Sequence, residues 1–321
     1  MKIEEITLEK LNASDFIEKK CRELSDEVGE GLAINALSGG VDSSVVTMLG
    51  HKALGNRLKT YFIDNGIMRK DEPQQIARWF ADLGVPIVIF DAREQFFDAL
   101  SGLSDPEEKR EAITQTFYKD VFGDLVKQSG AKYLVQGTIF TDVEETVAGV
   151  KRQHNILSQL GINTQEQFGY EVIEPLIQLR KPGVRMVGEA LDLPAEMYNR
   201  PPFPGPALAT RIIGEVTPER VALVKEATAI VEEALTGTGA FQYLAILHED
   251  KVTGIRDGKR DYGYQIEVRC WNSKDAKTAT PTRLDYDILE GLAARMTTEI
   301  QGVVSVTYNI TSKPTSTIEA V

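Results

Sequence analysis

The chain has 321 residues, 42% of them hydrophobic and 26% charged. These are the proportions of an ordinary globular protein long enough for two domains, and they exclude collagen-like, disordered and membrane-embedded chains. A formal charge of −12 argues against a broad nucleic-acid footprint, which needs a basic face to displace condensed counterions. Cys21 and Cys270 are the two cysteines, and a pair so far apart fits neither a disulfide framework nor a zinc site. Residues 1–30 carry charges throughout and no long apolar core, so the reading is a cytoplasmic protein without a signal peptide, membrane span or nucleic-acid partner.

In chain order, the apolar residues 32–37 predict a first strand. Ser38-Gly39-Gly40-Val41-Asp42-Ser43-Ser44 follows directly, and a helical stretch begins at Val45. A strand, a turn rich in glycine and hydroxyls and then a helix bring backbone N–H groups and the positive end of the helix dipole to one point, where an anion binds. The turn has neither the Gly-Lys-Ser/Thr ending of a P-loop nor the third glycine of a dinucleotide fold. It therefore predicts a phosphate site of another type. Residues 60–64 predict a second strand, 70–84 a helix and 86–90 a third strand. Ile113, Phe117, Val121 and Leu125 place one apolar face on a helix over 106–129, and 133–138 predict a fourth strand. This alternation predicts a parallel sheet with helices on both faces and a ligand at the carboxyl ends of its strands.

Residues 141–169 show no sustained periodicity and are read as a lid. The proline-dense stretch that starts at Asn199 is read as a rigid connector. It ends a first domain over 1–200 and opens a second over 201–321. In the second, Thr217 caps a helix with Pro218 at its first position. Residues 264–270 and 304–310 alternate as strands, with a helix over 285–300 between them. The small sheet leaves edges to cover, which suits self-association.

The loop Ser38–Ser44 resembles the pyrophosphate-binding loop of the ATP pyrophosphatases. Four further stretches resemble GMP synthetase: Ile63-Asp64-Asn65-Gly66-Ile67-Met68-Arg69-Lys70, Pro202-Phe203-Pro204-Gly205-Pro206, Arg211-Ile212-Ile213-Gly214-Glu215-Val216-Thr217 and Ile310-Thr311-Ser312-Lys313-Pro314. Nearly the whole chain is similar to the separate ATP-pyrophosphatase subunit of the archaeal enzymes. The resemblance implies an α/β fold: a doubly wound parallel sheet of the adenine nucleotide α-hydrolase type, with a smaller C-terminal α+β domain that binds the acceptor and dimerises. It implies ATP and Mg²⁺ as cofactors, with xanthosine monophosphate, ammonia, a separate glutaminase subunit and a second copy of the chain as partners. The acceptor would be adenylated with release of pyrophosphate, and ammonia would then displace AMP.

Carried over residue by residue, Ser38, Gly39, Gly40, Asp42, Ser43 and Ser44 hold the nucleotide phosphates, with Asp42 the Mg²⁺ partner. Asp42, Asp142, Glu145, Lys151, His154 and Lys181 act around ATP and the adenylated acceptor. Arg211, Lys313, Ile318 and Glu319 recognise the acceptor nucleotide. Some positions depart from the family pattern. Paired lid histidines are Gln153-His154, an arginine of the last strand is Ser305, the final glycine of a Pro-Gly-Pro-Gly run is Ala207, and the tail ends Glu319-Ala320-Val321. Two other readings stay open at this point: a paralogue that adenylates a different carbonyl acceptor, and a nucleotide-binding regulatory protein.

Overall fold

The computed structural model describes residues 3–147, 169–198, 203–274 and 277–320. The chain forms two compact units, one of residues 1–64, 72–91 and 117–200, the other of residues 65–71, 92–116 and 201–321.

The first unit opens with helix α1 (Ala13–Val28), capped by Asn12, whose side-chain oxygen accepts from the N–H groups of Ser14 and Asp15. Strand β1 (Ala33–Leu37) leads into helix α2 (Val41–Leu54). This helix starts four residues earlier than the apolar pattern predicts, so Asp42, Ser43 and Ser44 form its first turn. Gly40 is the extended residue before it and supplies no side-chain cap, which leaves the first N–H groups of α2 to a ligand or solvent. Strand β2 (Leu58–Asp64), helix α3 (Glu72–Asp82) and strand β3 (Val88–Asp91) follow as expected. Beyond them come helix α4 (Gly123–Ser129), strand β4 (Tyr133–Val135), helix α5 (Phe140–Val147), strand β5 (Glu171–Ile173) and helix α6 (Lys181–Ala190). The sheet order is β3-β2-β1-β4-β5 with every pair parallel. It reverses direction between β1 and β4, which is where ligands enter open α/β sheets.

Two expectations change here. The single helix over 106–129 is three pieces: Pro106–Gln115, a wider π-helical stretch Thr116–Phe122, and α4. Residues spaced by four drift off an α-helical face by about 40° per step, and the wider turn absorbs part of that drift. The first residues of the expected lid are also not irregular, because 140–147 form α5.

In the second unit the helices Arg93–Leu100 and Pro106–Gln115 pack with residues 201–321. Lys109, 1% exposed, ties them in by donating to the Ile212 carbonyl at 2.9 Å. Burial, with Arg220 nearby, lowers its ammonium to about 8. Helix α7 (Pro218–Leu235) has the expected Thr217 cap, whose hydroxyl accepts from the Arg220 N–H. Strands β6 (Gln242–Arg256) and β7 (Lys259–Asn272) form a long hairpin. Its two-residue turn, Asp257-Gly258, has φ values of 51° and 73°, the conformation that Asp-Gly favours between strands. Strand β8 (Thr280–Pro281) pairs antiparallel with β7, and after helix α8 (Tyr286–Glu299) strand β9 (Val303–Tyr308) pairs parallel with it.

Ala207 has φ 53° and is 2% exposed. This is the position where the family pattern carries glycine, and a Cβ in the left-handed region costs about 1 kcal/mol. Ala207→Gly is therefore expected to stabilise the second unit by about 0.5–1 kcal/mol. Urea unfolding monitored by circular dichroism checks this, and a less stable variant contradicts it.

Candidate active site

The Ser38–Ser44 turn is closed by its own hydroxyls. Ser43 Oγ accepts from the Ser38 N–H at 3.1 Å, shares a 2.9 Å hydrogen bond with Ser38 Oγ and donates to the Gly40 carbonyl at 3.0 Å. Ser44 Oγ donates to the same carbonyl at 2.9 Å. Gly39 sits at φ 77°, which a residue with a side chain adopts only under strain. At the end of β4, Gly137 lies so close to α2 that an added Cβ would stand 3.2 Å from the backbone of Asp42 and Ser43.

A buried polar chain locks β1 and β2 to α2 behind the turn. Thr60 Oγ1 donates to Asn35 Oδ1 at 2.7 Å, Asn35 Nδ2 donates to Thr47 Oγ1 at 2.6 Å, and Thr47 Oγ1 donates to the Ser43 carbonyl at 2.8 Å. Such a satisfied buried network fixes register and orientation, because every broken link would leave an unpaired polar group. Its one sequence signal is Asn35 within an otherwise apolar strand.

The turn carries no lysine of its own, and Lys181 at the first position of α6 supplies one. Its Nζ forms a charged hydrogen bond with Asp42 Oδ2. The other oxygen, Asp42 Oδ1, is buried and has no hydrogen-bond partner among the described residues. Beside it, a cavity of about 160 Å³ is lined by Ser38, Gly40, Asp42 and Ser43 from the turn, by Leu134–Gly137 at the end of β4, and by Phe117, Tyr118 and Phe122 of the π-helical stretch. Phe117 and Phe122 stack with ring centroids 6.1 Å apart. Burial raises the Tyr118 hydroxyl above its ordinary range. A site at the reversal between β1 and β4, with open N–H groups, one lysine and one unsatisfied carboxylate oxygen, can hold a polyanion together with a cation.

Asp142 lies in the first turn of α5 and accepts the Ile139 N–H at 2.9 Å. Nearby, Thr138 Oγ1 donates to Glu174 Oε1 at 2.6 Å. Burial raises the Glu174 carboxyl, and Asp142 adds to the effect. No local pattern along the chain marks Glu174. The backbone of Glu145 belongs to α5, while its side chain, Lys151 and His154 lie outside the described residues.

The second unit gathers three of its four expected residues. Arg211, 1% exposed, donates from Nε and Nη2 to the two carboxylate oxygens of Glu319 at 3.2 and 3.4 Å, and Gln242 Nε2 donates to Glu319 Oε1 at 2.8 Å. Ile318 is buried with Leu244, Ile246, Trp271 and Ala279. Lys313 stands earlier on the same tail, its N–H bonded to the Ala279 carbonyl at 2.9 Å. Phe203 stands in one of the four family-like stretches but not among the expected site residues. The guanidinium carbons of Arg69 and Arg211 lie 3.9 and 4.8 Å from its ring centroid, and such cation–π contacts each contribute about 0.5–2 kcal/mol.

Beneath the tail, Glu267 pairs with His248 and accepts from Arg269 and Asn309. Burial alone would raise its carboxyl, but the bonds to His248, Arg269 and Asn309 outweigh that and hold it at about 2. The folded value lies below the ordinary 4.5, so its stabilisation is complete above that pH and disappears as the pH falls from there towards 2. In urea unfolding from about pH 6 downwards, Glu267→Gln is expected to lack this part of the acid slope. An unchanged slope contradicts it.

The chain matches two family models: NAD synthase over residues 12–206 and GMP synthase C terminal domain over residues 230–320. It is 47% identical over 309 residues to one subunit of the glutamine-hydrolyzing GMP synthase of Archaeoglobus fulgidus, covering 96% of this chain and 99% of that one. To the corresponding subunit from Pyrococcus furiosus it is 44% identical, covering 95% and 96%. The glutamine-hydrolyzing GMP synthase of Halothermothrix orenii is 40% identical over 96% of this chain but only 61% of its own length. Among the described residues no helix is long and apolar enough to cross a membrane. With a parallel sheet that opens on the hydroxyl- and glycine-rich turn, and with archaeal relatives matched end to end, the chain belongs to the family of these GMP synthase subunits, ligases that use ATP to make GMP.

Proposed function

We propose that this chain performs the ATP-consuming half of GMP synthesis through an adenylated acceptor. The C2 oxygen of xanthosine monophosphate attacks the α-phosphorus of ATP, and the bond to the β-phosphate breaks with pyrophosphate as the leaving group. A ring N–H proton leaves in that step; ammonia then adds at C2, loses one proton to solvent and keeps two as the new amino group, and AMP departs with the former C2 oxygen. The observation that carries the reading is the pairing of Lys181 with Asp42 at the open N-terminus of α2. The N–H groups of the first turn and the Lys181 ammonium balance the charge of the departing pyrophosphate, and Gly39 and Gly40 let the backbone approach it. This is catalysis by positioning and preorganised electrostatics.

The unpartnered Oδ1 of Asp42 fits Mg²⁺, which commonly takes one or two carboxylates and completes its shell with phosphate oxygens and water. When bound, it would neutralise phosphate charge as a Lewis acid. Asp42 would hold it, and Lys181 would keep that carboxylate oriented. On the acceptor side, Arg211 and Gln242 orient the Glu319 carboxylate, an acceptor suited to the N–H groups of a purine base.

Ammonia would come from a separate glutaminase subunit. Burial raises both thiols of this chain, Cys21 despite the nearby Lys52 and Cys270 despite a bond to Thr282, whereas a nucleophilic cysteine needs a lowered value. The longer Halothermothrix orenii relative, named as glutamine-hydrolyzing in a single chain, also supports a division of labour. The test is product analysis with MgATP and ammonium, with and without xanthosine monophosphate. The expected result is AMP, pyrophosphate and GMP in equal amounts, dependent on the acceptor, and no GMP from glutamine with this chain alone. Pyrophosphate release indifferent to xanthosine monophosphate overturns the reading.

A further inference from the structure

The tail residues Thr317–Glu319 lie on one face of the β6–β7 hairpin. In register, Leu244 stands opposite Arg269 and Ile246 opposite Glu267, so Leu244, Ile246, Glu267, Arg269 and Trp271 share that face by the alternation of a strand. Ile318 and Ala320 pack on its apolar members. Two charged residues interrupt a surface that could be wholly apolar, and both are nearly buried, the side chains of Arg269 and Glu267 being 9% and 14% exposed. A buried ion pair is rarely retained for stability alone, since a well-packed apolar pair serves as well or better.

The hydrogen bonds show what the pair does. Arg269 Nε donates to Glu267 Oε1, and Arg269 Nη1 points at three successive carbonyls of the tail: Thr317 at 2.8 Å, Ile318 at 3.3 Å and Glu319 at 3.2 Å. Glu267 is itself held by His248 and Asn309. The planar guanidinium has fixed donor directions, which lets one group brace against Glu267 while facing the tail backbone. The residue whose carbonyl is gripped, Glu319, also presents its carboxylate to Arg211 and Gln242.

We propose that Arg269 is a positioning residue that latches the tail backbone and thereby sets the Glu319 carboxylate for the acceptor nucleotide. The second half rests on the acceptor role proposed for Glu319 above, whereas the latch itself does not.

Arg269→Lys is the test, because it keeps the positive charge beside Glu267 but loses the fork. It is made in a Trp79→Phe background, so that emission reports Trp271, on which the tail packs. We expect a red-shifted Trp271 emission and deuterium uptake at residues 317–320 at least about tenfold faster, since local opening sets exchange. We also expect KM for xanthosine monophosphate to rise about tenfold or more while KM for ATP stays within about twofold. Glu267→Gln, run in parallel, keeps Arg269 but weakens its anchor, and it should show the same pattern at smaller size even if the lysine variant fails to fold. Unchanged emission and exchange overturn the latch. A loosened tail with an unmoved acceptor KM overturns the positioning role. If the parent enzyme does not turn over xanthosine monophosphate, the functional reading fails, and emission and exchange still decide whether Arg269 holds the tail.

Discussion

Asp42→Ala is expected to lower the rate of pyrophosphate release by about a thousandfold or more. Asp42 carries the only carboxylate of the Ser38–Ser44 turn. One oxygen holds the Lys181 ammonium, and the other is a buried oxygen without a partner among the described residues. Removing the carboxylate frees Lys181 from its orientation and removes the protein ligand proposed for the cation. The loss should not come from unfolding, because an acidic residue in a first helical turn contributes only about 0.3–1 kcal/mol through the helix dipole. The buried Thr60–Asn35–Thr47 chain that holds the turn from behind is untouched. Asp42→Asn, which keeps the shape without the charge, should fall almost as far. Steady-state pyrophosphate release with circular dichroism alongside checks both, and normal turnover in either variant removes Asp42 from its role.

Glu319→Ala is expected to act on stability and on acceptor binding together. Its carboxylate is the counter-charge of Arg211, which is 1% exposed and already has one nitrogen, Nη1, without a partner among the described residues. Leaving such a guanidinium uncompensated costs about 3–5 kcal/mol when it is fully buried. The Phe203 ring and Gln242 recover some of this, so a loss of about 2–3 kcal/mol is expected in urea unfolding. Glu319→Gln keeps a hydrogen-bonding side chain of the same length and should lose less stability, yet still raise KM for xanthosine monophosphate about a hundredfold with KM for ATP nearly unchanged. An unchanged acceptor KM in Glu319→Gln contradicts the assignment.

What is legible in the sequence follows physical range. The strand, turn and helix around Ser38–Ser44 can be read directly, because glycines and hydroxyls at that spacing carry a local meaning. The start of α2 lies earlier than expected because Val41-Asp42-Ser43-Ser44 shows no apolar period, and Gly40 before it supplies no side-chain cap that would mark the start. The Asn35 network and the Lys181–Asp42 pair join residues far apart in the chain, and no local pattern reports such contacts; family resemblance singles out Lys181 without giving its partner. Strand β6 is hidden from a periodicity reading because residues 242–247 are all buried, so the alternation that reveals β7 is missing there. The departure at Ala207 is visible as a letter, but its backbone meaning requires φ. Ser305 shows what stands in place of the expected arginine: its Oγ and Gln265 Nε2 are 3.1 Å apart, a neutral hydrogen bond between neighbouring strands.

The most direct measurement is the fate of the C2 oxygen. Xanthosine monophosphate labelled with heavy oxygen at C2 is turned over with MgATP and ammonium, and the AMP is analysed by mass spectrometry. Attack of that oxygen on the α-phosphorus predicts one label in the phosphate of every AMP formed. AMP without label, released alongside GMP, would mean that the acceptor is never adenylated, and the account built on Asp42, Lys181 and the open helix start would be wrong.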